Sequence, residues 1–259
     1  MILRSENLQI NLKSDEIRLE GFEMSGCEIN NQLTSSHSYL GKRPYTISLD
    51  SRRVKIEGYI CENLEANRRS LAKICIQESP FFVVDGAYML EVVARKSPEY
   101  SSERRFSQKT LKFCLDLVAI NPLWLACEKK SINFPTVGGV SNDEKALYIT
   151  VESDTSVGFE VEMQMRTSAE RILLRKGTEY IDLREVTLEI GDIVYISTLH
   201  GKKEVRVTKK STGAIEDLMS YVATGSVFFD LDVGENRLDY TIASGILNAT
   251  FSYTPAYMR

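Results

Sequence analysis

Residues whose types lend themselves to chemistry are few in this chain and widely scattered. The 259 residues include two histidines, His37 and His200, neither beside a serine or cysteine in a pattern that would activate a nucleophile. His200 lies in the turn-like phrase Leu199-His-Gly201 and His37 in a polar stretch, and a single imidazole without placed partners makes no site. Both read as surface histidines. The five cysteines, Cys27, Cys61, Cys75, Cys114 and Cys127, are odd in number, widely spaced and without a C-x-x-C pair. That pattern argues against a zinc cage and against a disulfide framework. Cys75 and Cys114 fall within apolar patterns and read as small core residues.

The phrase Asp230-x-Asp232-x-Gly234-x-Asn236 has the look of a calcium loop. Such a loop needs a bidentate glutamate at its twelfth position, where this chain has Thr241, and helices at its flanks, where this chain has strand patterns. The phrase therefore reads as the water-facing side of a strand entering a turn. A glycosidase needs two carboxylates about 5–10 Å apart across a cleft. Acidic residues are plentiful, but no spacing selects a pair. The lone tryptophan, Trp124, lies in Pro122-Leu-Trp-Leu125, a setting that favours burial over sugar stacking. No phosphate loop or dinucleotide glycine pattern is present. The basic clusters Arg52-Arg53-x-Lys55 and Arg104-Arg105 read as solvated faces or subunit contacts. The sequence thus nominates no catalytic residue, no cofactor site and no metal ligand.

The elements that would position any site are mostly strands. Leu8, Ile10 and Leu12 alternate with polar residues, and Ile17, Leu19 and Phe22 follow. Gly26 to Gly41 is polar and reads as an exposed arm. Tyr45/Ile47/Leu49 and Val54/Ile56/Ile60 are two further strands. Asn63 is a candidate N-cap, with Glu65 in the first turn, for a helix running to Gln77. Glu78-Ser79-Pro80 ends it, since proline disfavours helical geometry in the residue before it. Arg68, Arg69 and Lys73 belong to its solvated face. Phe81–Val84 and Leu90–Ala94 flank a tight turn at Asp85-Gly86, residues 97–105 read as a loop, and Leu111–Leu117 closes a first unit. Beyond it lie Leu147/Ile149/Val151, the clean alternation Phe159–Met165, Ile172–Leu174 and Tyr180–Ile181. Two hairpin-like phrases follow, from Leu188 to Val207 and from Ser226 to Ile242, with turns expected at Gly191-Asp192, Gly201 and Gly234-Glu235-Asn236. Ile215 to Tyr221 reads as one or two helical turns, and Leu247–Tyr253 closes the series. Many short strands with frequent turn signals point to sandwich or jelly-roll folds.

Composition sets bounds. A hydrophobic content of 43% and a charged content of 26% are those of a soluble globular protein. No apolar run is long enough to span a membrane as a helix. The opening Met1-Ile-Leu-Arg4 lacks the apolar centre of a secretory signal, so folding in a cytoplasm is expected. Through Phe134 there are 19 basic and 17 acidic residues, against 13 and 19 after it. Neither half is basic enough to make nucleic acid the default partner. Glu128–Asn133 and the Pro135/Gly138-Gly139 segment mark a junction, giving domains 1–134 and 135–259.

Several phrases, in order, carry a resemblance. They are Arg52-Arg-Val-Lys-Ile-Glu-Gly58, the helix with Leu71-Ala72, the Asp85-Gly86 turn, and Leu111-x-Phe-x-Leu115 with Asn121-Pro-x-Trp124. In the second half they are Leu188-x-x-Gly191-Asp-x-Val-x-Ile196-x-Thr198, Gly201-Lys, Phe228-Phe-x-Leu231-x-x-Gly234-x-Asn236-x-Leu238 and Phe251-x-Tyr253 with Tyr257. Together they resemble the distal tail proteins of long-tailed siphophages, the tail-component family, over nearly the full length. The resemblance implies an amino-terminal β-sandwich carrying one helix and a carboxy-terminal galectin-like or jelly-roll sandwich. It further implies a homo-hexameric ring of amino-terminal domains that joins the tail tube to the tip or baseplate. The carboxy-terminal domains would face outward, where receptor-binding proteins could dock. The expected place is the virion tail tip, after assembly in the host cytoplasm, with no catalysis, no cofactor, no nucleic-acid specificity and no membrane insertion. A carbohydrate-binding adhesion module is the alternative, and a glycan-cleaving enzyme a more distant one.

Overall fold

The computed structural model describes residues 1–27, 29–35, 42–105, 108–138, 145–242 and 246–259. The chain is mainly β and forms two compact units, Met1–Cys127 with Met258–Arg259, and Glu128–Tyr257. The division expected after Phe134 falls within a strand of the second unit, Lys130–Gly138, which is committed there by its ladder to Ile246–Tyr253. Its Pro135 and Gly138 look like linker chemistry. The strand accommodates the proline at the edge of its sheet, where the register shifts between Phe134 and Val137.

In the first unit the strand Arg52–Ile60 is central. It pairs antiparallel with Gln108–Ala119 on one side and Ile17–Met24 on the other. Beyond Gln108–Ala119 the sheet continues through Tyr88–Ala94, Phe81–Asp85, Ile2–Arg4 and Gln9–Asn11. Alternation puts Val54, Ile56 and Ile60 in one core with Phe113, Leu115 and Leu117, each at most 1% exposed. The helix Leu64–Ile76 covers that core with Leu71 and Ile74 and leaves Ile76 in water. Asn63 is not a side-chain cap. It sits in the left-handed region at φ 49°, and its amide instead donates to Glu16 Oε1 at 2.8 Å. Asn67 donates to the other Glu16 oxygen at 2.9 Å, so one carboxylate outside the helix moors its first turn.

Two further readings change. Residues 97–105 hold a strand, Glu99–Arg105, paired with Gln108–Ala119. Within the polar stretch 26–41, Ile29–Ser35 forms a ladder with Lys42–Leu49 as a two-stranded sheet apart from the main one. Position 28 and residues 36–41, His37 among them, lie outside the described residues.

The second unit is a sandwich of two antiparallel sheets. One runs Lys130–Gly138, Ile246–Tyr253, Phe159–Met165, Ile193–Ser197, Glu204–Thr208 and Ile215–Asp217. The other runs Lys145–Val151, Gly234–Ile242, Ile172–Lys176 and Glu179–Leu183. Ile149, Leu174 and Leu238 from the second sheet, and Val161, Leu247 and Phe251 from the first, are all buried. Gly191-Asp192 and Gly201 stand in turns as expected. Gly234, expected in a turn, begins the strand Gly234–Ile242 at φ +91°. The stretch before it holds an isolated bridge, Val157 to Leu231, in place of a strand ladder. Ile215–Tyr221 divides into an extended segment and a short 3-10 turn, Met219–Tyr221.

Candidate assembly and binding surfaces

On the first unit, a cleft of about 480 Å³ is lined by Glu23, Arg53, Lys55, Arg95, Lys96 and Asp116 among others. It mixes charge signs and is largely paired. Lys55 bonds Glu57 at 2.7 Å, Arg95 meets Asp116 at 3.4 Å and Lys96 meets Glu99 at 2.5 Å. The hydrogen bond to Glu57 holds the Lys55 ammonium above its ordinary pKa and the Glu57 carboxyl below its own. Arg52 turns to structural work, donating to the Ser25 carbonyl at 2.9 Å and to the Arg259 carbonyl at 2.9 Å. The side chains of Arg104 and Arg105 lie outside the described residues. Its lining carries cations and anions in nearly equal number and lacks the excess of cations a polyanion would require.

Two buried carboxylates of the second unit were not singled out by the sequence. Asp182, 1% exposed, receives a bidentate fork from Arg171 with both distances 2.8 Å, and Arg184 adds a third bond at 2.6 Å. Burial pushes its carboxyl up, but the two guanidiniums prevail and hold it below the ordinary value. Asp192, also 1% exposed, accepts the backbone N–H groups of Glu189 at 3.1 Å and Lys210 at 3.0 Å, and the Lys209 ammonium at 3.1 Å. Its carboxyl too is held low against burial. Gly191 beside it has φ +90°, a conformation rarely open to other residues, and packs under the Lys210 side chain. The phrase Gly191-Asp192, expected to mark a turn, was the signal available, and its aspartate is the buried group that closes that turn.

The remaining candidates separate. His200 is exposed in a turn closed by Lys202 N–H to the Leu199 carbonyl at 2.9 Å. Trp124 is 3% exposed, against Phe22 at 6.1 Å and beneath the Arg259 guanidinium at 5.6 Å. In the calcium-like phrase, Asn236 folds back as an internal brace. Its carbonyl accepts the Asp232 N–H at 2.8 Å, and its amide donates to the Asp232 carbonyl at 2.7 Å. The Lys176 ammonium bonds the Asp230 carbonyl at 2.6 Å and the Asp232 carboxylate at 2.9 Å, standing where a cation would. None of the five cysteines forms a disulfide, and burial pushes the Cys75 thiol up to about 11, away from reactivity. Among the described residues no cluster of histidine, cysteine and carboxylate groups could hold a metal, and no helix is long and apolar enough to cross a membrane.

A family model described as siphovirus-type tail component, C-terminal domain, matches residues 150–257, within the second unit. No curated protein matches the chain. Among solved structures, the Dit protein (gp 19.1) of phage SPP1, described as a paradigm of hub adsorption apparatus in Gram-positive infecting phages, is similar over 99% of both chains. Its TM-score is 0.70 at 10% identity. A chain of the phage P2 baseplate in its activated conformation with calcium has a TM-score of 0.54 at 10% identity, covering 96% of this chain and 93% of that one. The same baseplate with strontium gives 0.55 at 8% identity, covering 98% and 96%. At these identities the likeness to solved structures is one of fold, and the family match is confined to part of the second unit. A model of the siphovirus-type tail component, C-terminal domain, thus matches part of the second unit, and the chain shares its fold with the Dit protein of phage SPP1 over nearly its whole length.

Proposed function

We propose that this chain is a structural hub of a siphophage tail, or of a related phage-derived particle. In this reading the amino-terminal unit closes into a hexameric ring that continues the tail tube and holds the baseplate or tip. The carboxy-terminal unit, a galectin-like sandwich, faces outward and offers a seat for receptor-binding proteins. The protein acts by assembly and not by catalysis, in the virion, after being made in the host cytoplasm.

The observation that carries this reading is the full-length likeness to a tail hub protein, 99% of both chains at a TM-score of 0.70. The surfaces are compatible with it. A ring arises from a heterologous contact that closes, which needs two different patches on each copy. The separate two-stranded ladder of Ile29–Ser35 with Lys42–Leu49 and the mixed-charge cleft near Arg53 are two such patches. Paired charges of both signs favour register and orientation over indiscriminate sticking.

The test is the solution mass of the purified chain by native mass spectrometry, with negative-stain images, alone and mixed with its cognate tail-tube protein. Six-fold particles with a central hole are the expected result. A strict monomer under both conditions would rule out the ring.

A further inference from the structure

On the four-stranded sheet of the second unit, two paired strands end together on arginines that the hub reading leaves unused. Ile172 and Leu183 form the last rung between Ile172–Lys176 and Glu179–Leu183, so Arg171 and Arg184 stand one position beyond it on either strand. Ile172, Leu174, Ile181 and Leu183 are buried between the sheets. Alternation therefore turns Arg171, Asp182 and Arg184 to the outer face together. Asp182, 1% exposed, joins them, accepting two bonds from Arg171 and one from Arg184.

The backbone beneath this cluster is fixed. Asp182 donates its N–H to Ser226 Oγ at 3.1 Å, and its carbonyl accepts the Ala223 N–H at 2.8 Å. Arg184 donates its N–H to the Tyr221 carbonyl at 3.0 Å. The next residue, Glu185, is held at φ +57°, a left-handed conformation uncommon outside glycine. Backbone strain of this kind clusters at functional sites.

What the cluster leaves open defines its chemistry. Arg171 gives Asp182 its Nε and Nη2, and Arg184 gives only its Nε. Nη1 of Arg171 and both Nη groups of Arg184 have no partner among the described residues, and the two side chains are 43% and 57% exposed. Glu170 and Glu185, their neighbours in sequence, form no ion pair with either among the described residues. Two guanidiniums on one carboxylate leave the cluster with a net positive charge, in a part of the chain where acidic residues outnumber basic ones. A planar carboxylate matches one guanidinium fork, whereas a phosphate group, its oxygens tetrahedrally disposed, can bridge two. Because Asp182 already orders both arginines, a ligand need not supply the entropy of holding two long side chains.

We propose that the Arg171–Arg184 pair, held by Asp182, is a binding site for a phosphate group. The site stands on the geometry of the second unit alone and does not depend on ring formation.

The full chain, nitrogen-15 labelled at arginine, would be titrated at fixed ionic strength with inorganic phosphate, with diethyl phosphate as a diester probe and with acetate as the carboxylate control. The Arg171 and Arg184 Nε–H signals are expected to shift saturably with at least one phosphate probe and to stay in place with acetate. Arg184→Gln should weaken that binding about tenfold, since it removes a charged donor. Its thermal midpoint should stay close to the parent's, because Arg171 still bonds both oxygens of Asp182. Arg184→Lys keeps the charge without the planar fork and should recover only part of the loss. A response to the diester assigns the site to a phosphodiester of a polymer, and a response to inorganic phosphate alone assigns it to the free ion. Both uphold the site. If neither probe moves the signals, if acetate moves them equally, or if Arg184→Gln binds as the parent does, the proposal is overturned. The ring result above would stand in any of those cases.

Discussion

Asp192 sits almost fully buried beneath a turn and returns three hydrogen bonds for its burial, two from backbone N–H groups and one from Lys209. Removing it leaves those donors without their acceptor in a place water reaches poorly. Asp192→Ala is therefore expected to destabilise the second unit by about 2–4 kcal/mol, with Asp192→Asn costing less, as read from denaturant unfolding. The Asp182 carboxyl makes a related case in acid. In the folded chain both carboxyls titrate below the ordinary value of 3.8, so as pH falls the unfolded chain takes up their protons first. Their stabilisation is complete above the ordinary value and is lost as pH drops through it towards the lower folded values. Arg171→Ala removes the bidentate fork and lets the Asp182 carboxyl rise. Acid unfolding of the second unit should then begin at a higher pH than in the parent, with about 1 kcal/mol lost at neutrality because Arg171 is partly in water. Circular dichroism across an acid titration of both proteins measures it.

At the scale of elements, Gly58 shows how tightly the first sheet is drawn. In the middle of Arg52–Ile60 it faces Phe113 across one ladder and Leu19 across the other. A methyl group there would stand 2.6 Å from the Arg18 carbonyl oxygen and 2.7 Å from the Phe113 ring. Neither the backbone nor a fully buried ring can give way cheaply. Gly58→Ala is expected to cost about 1–3 kcal/mol, seen as a lowered thermal midpoint, despite alanine's ordinary fit to strands. Legibility in the sequence divides along the same physical line. Phe159–Met165 was readable because one face is buried and the other wet, which is what period two records. Glu99–Arg105 was not, because its residues are polar and its pairing rests on backbone hydrogen bonds that leave no trace in side-chain type. Ser226–Val233 misled in the opposite direction. Phe229 and Leu231 are buried while Val227 and Val233 are exposed, so apolar character there marked neither a regular face nor a strand ladder. The arginine pair was invisible for a further reason. Arg171 and Arg184 flank two different strands and meet at Asp182 only through strand register.

At the scale of the whole molecule, the order of phrases along the chain carried the resemblance, whereas each phrase alone was a common strand-and-turn pattern. The unit boundary was harder to read, since proline and glycine serve a bulged edge strand as readily as a linker. The placing of that edge strand has a consequence for how the protein comes into being. Ile246–Tyr253 lies between Lys130–Gly138 and Phe159–Met165, so the last long strand made is an interior member of its sheet. A ribosome must therefore deliver nearly the entire second unit before its six-stranded sheet can close, across a loop of roughly a hundred residues. The strands of the first unit described above, by contrast, have all been synthesised before Cys127. Synthesis thus sets a sequence of events: an early domain that can fold while the chain still grows, and a late one whose unpaired strands wait, exposed to mispairing with their neighbours, until Ile246–Tyr253 has been made.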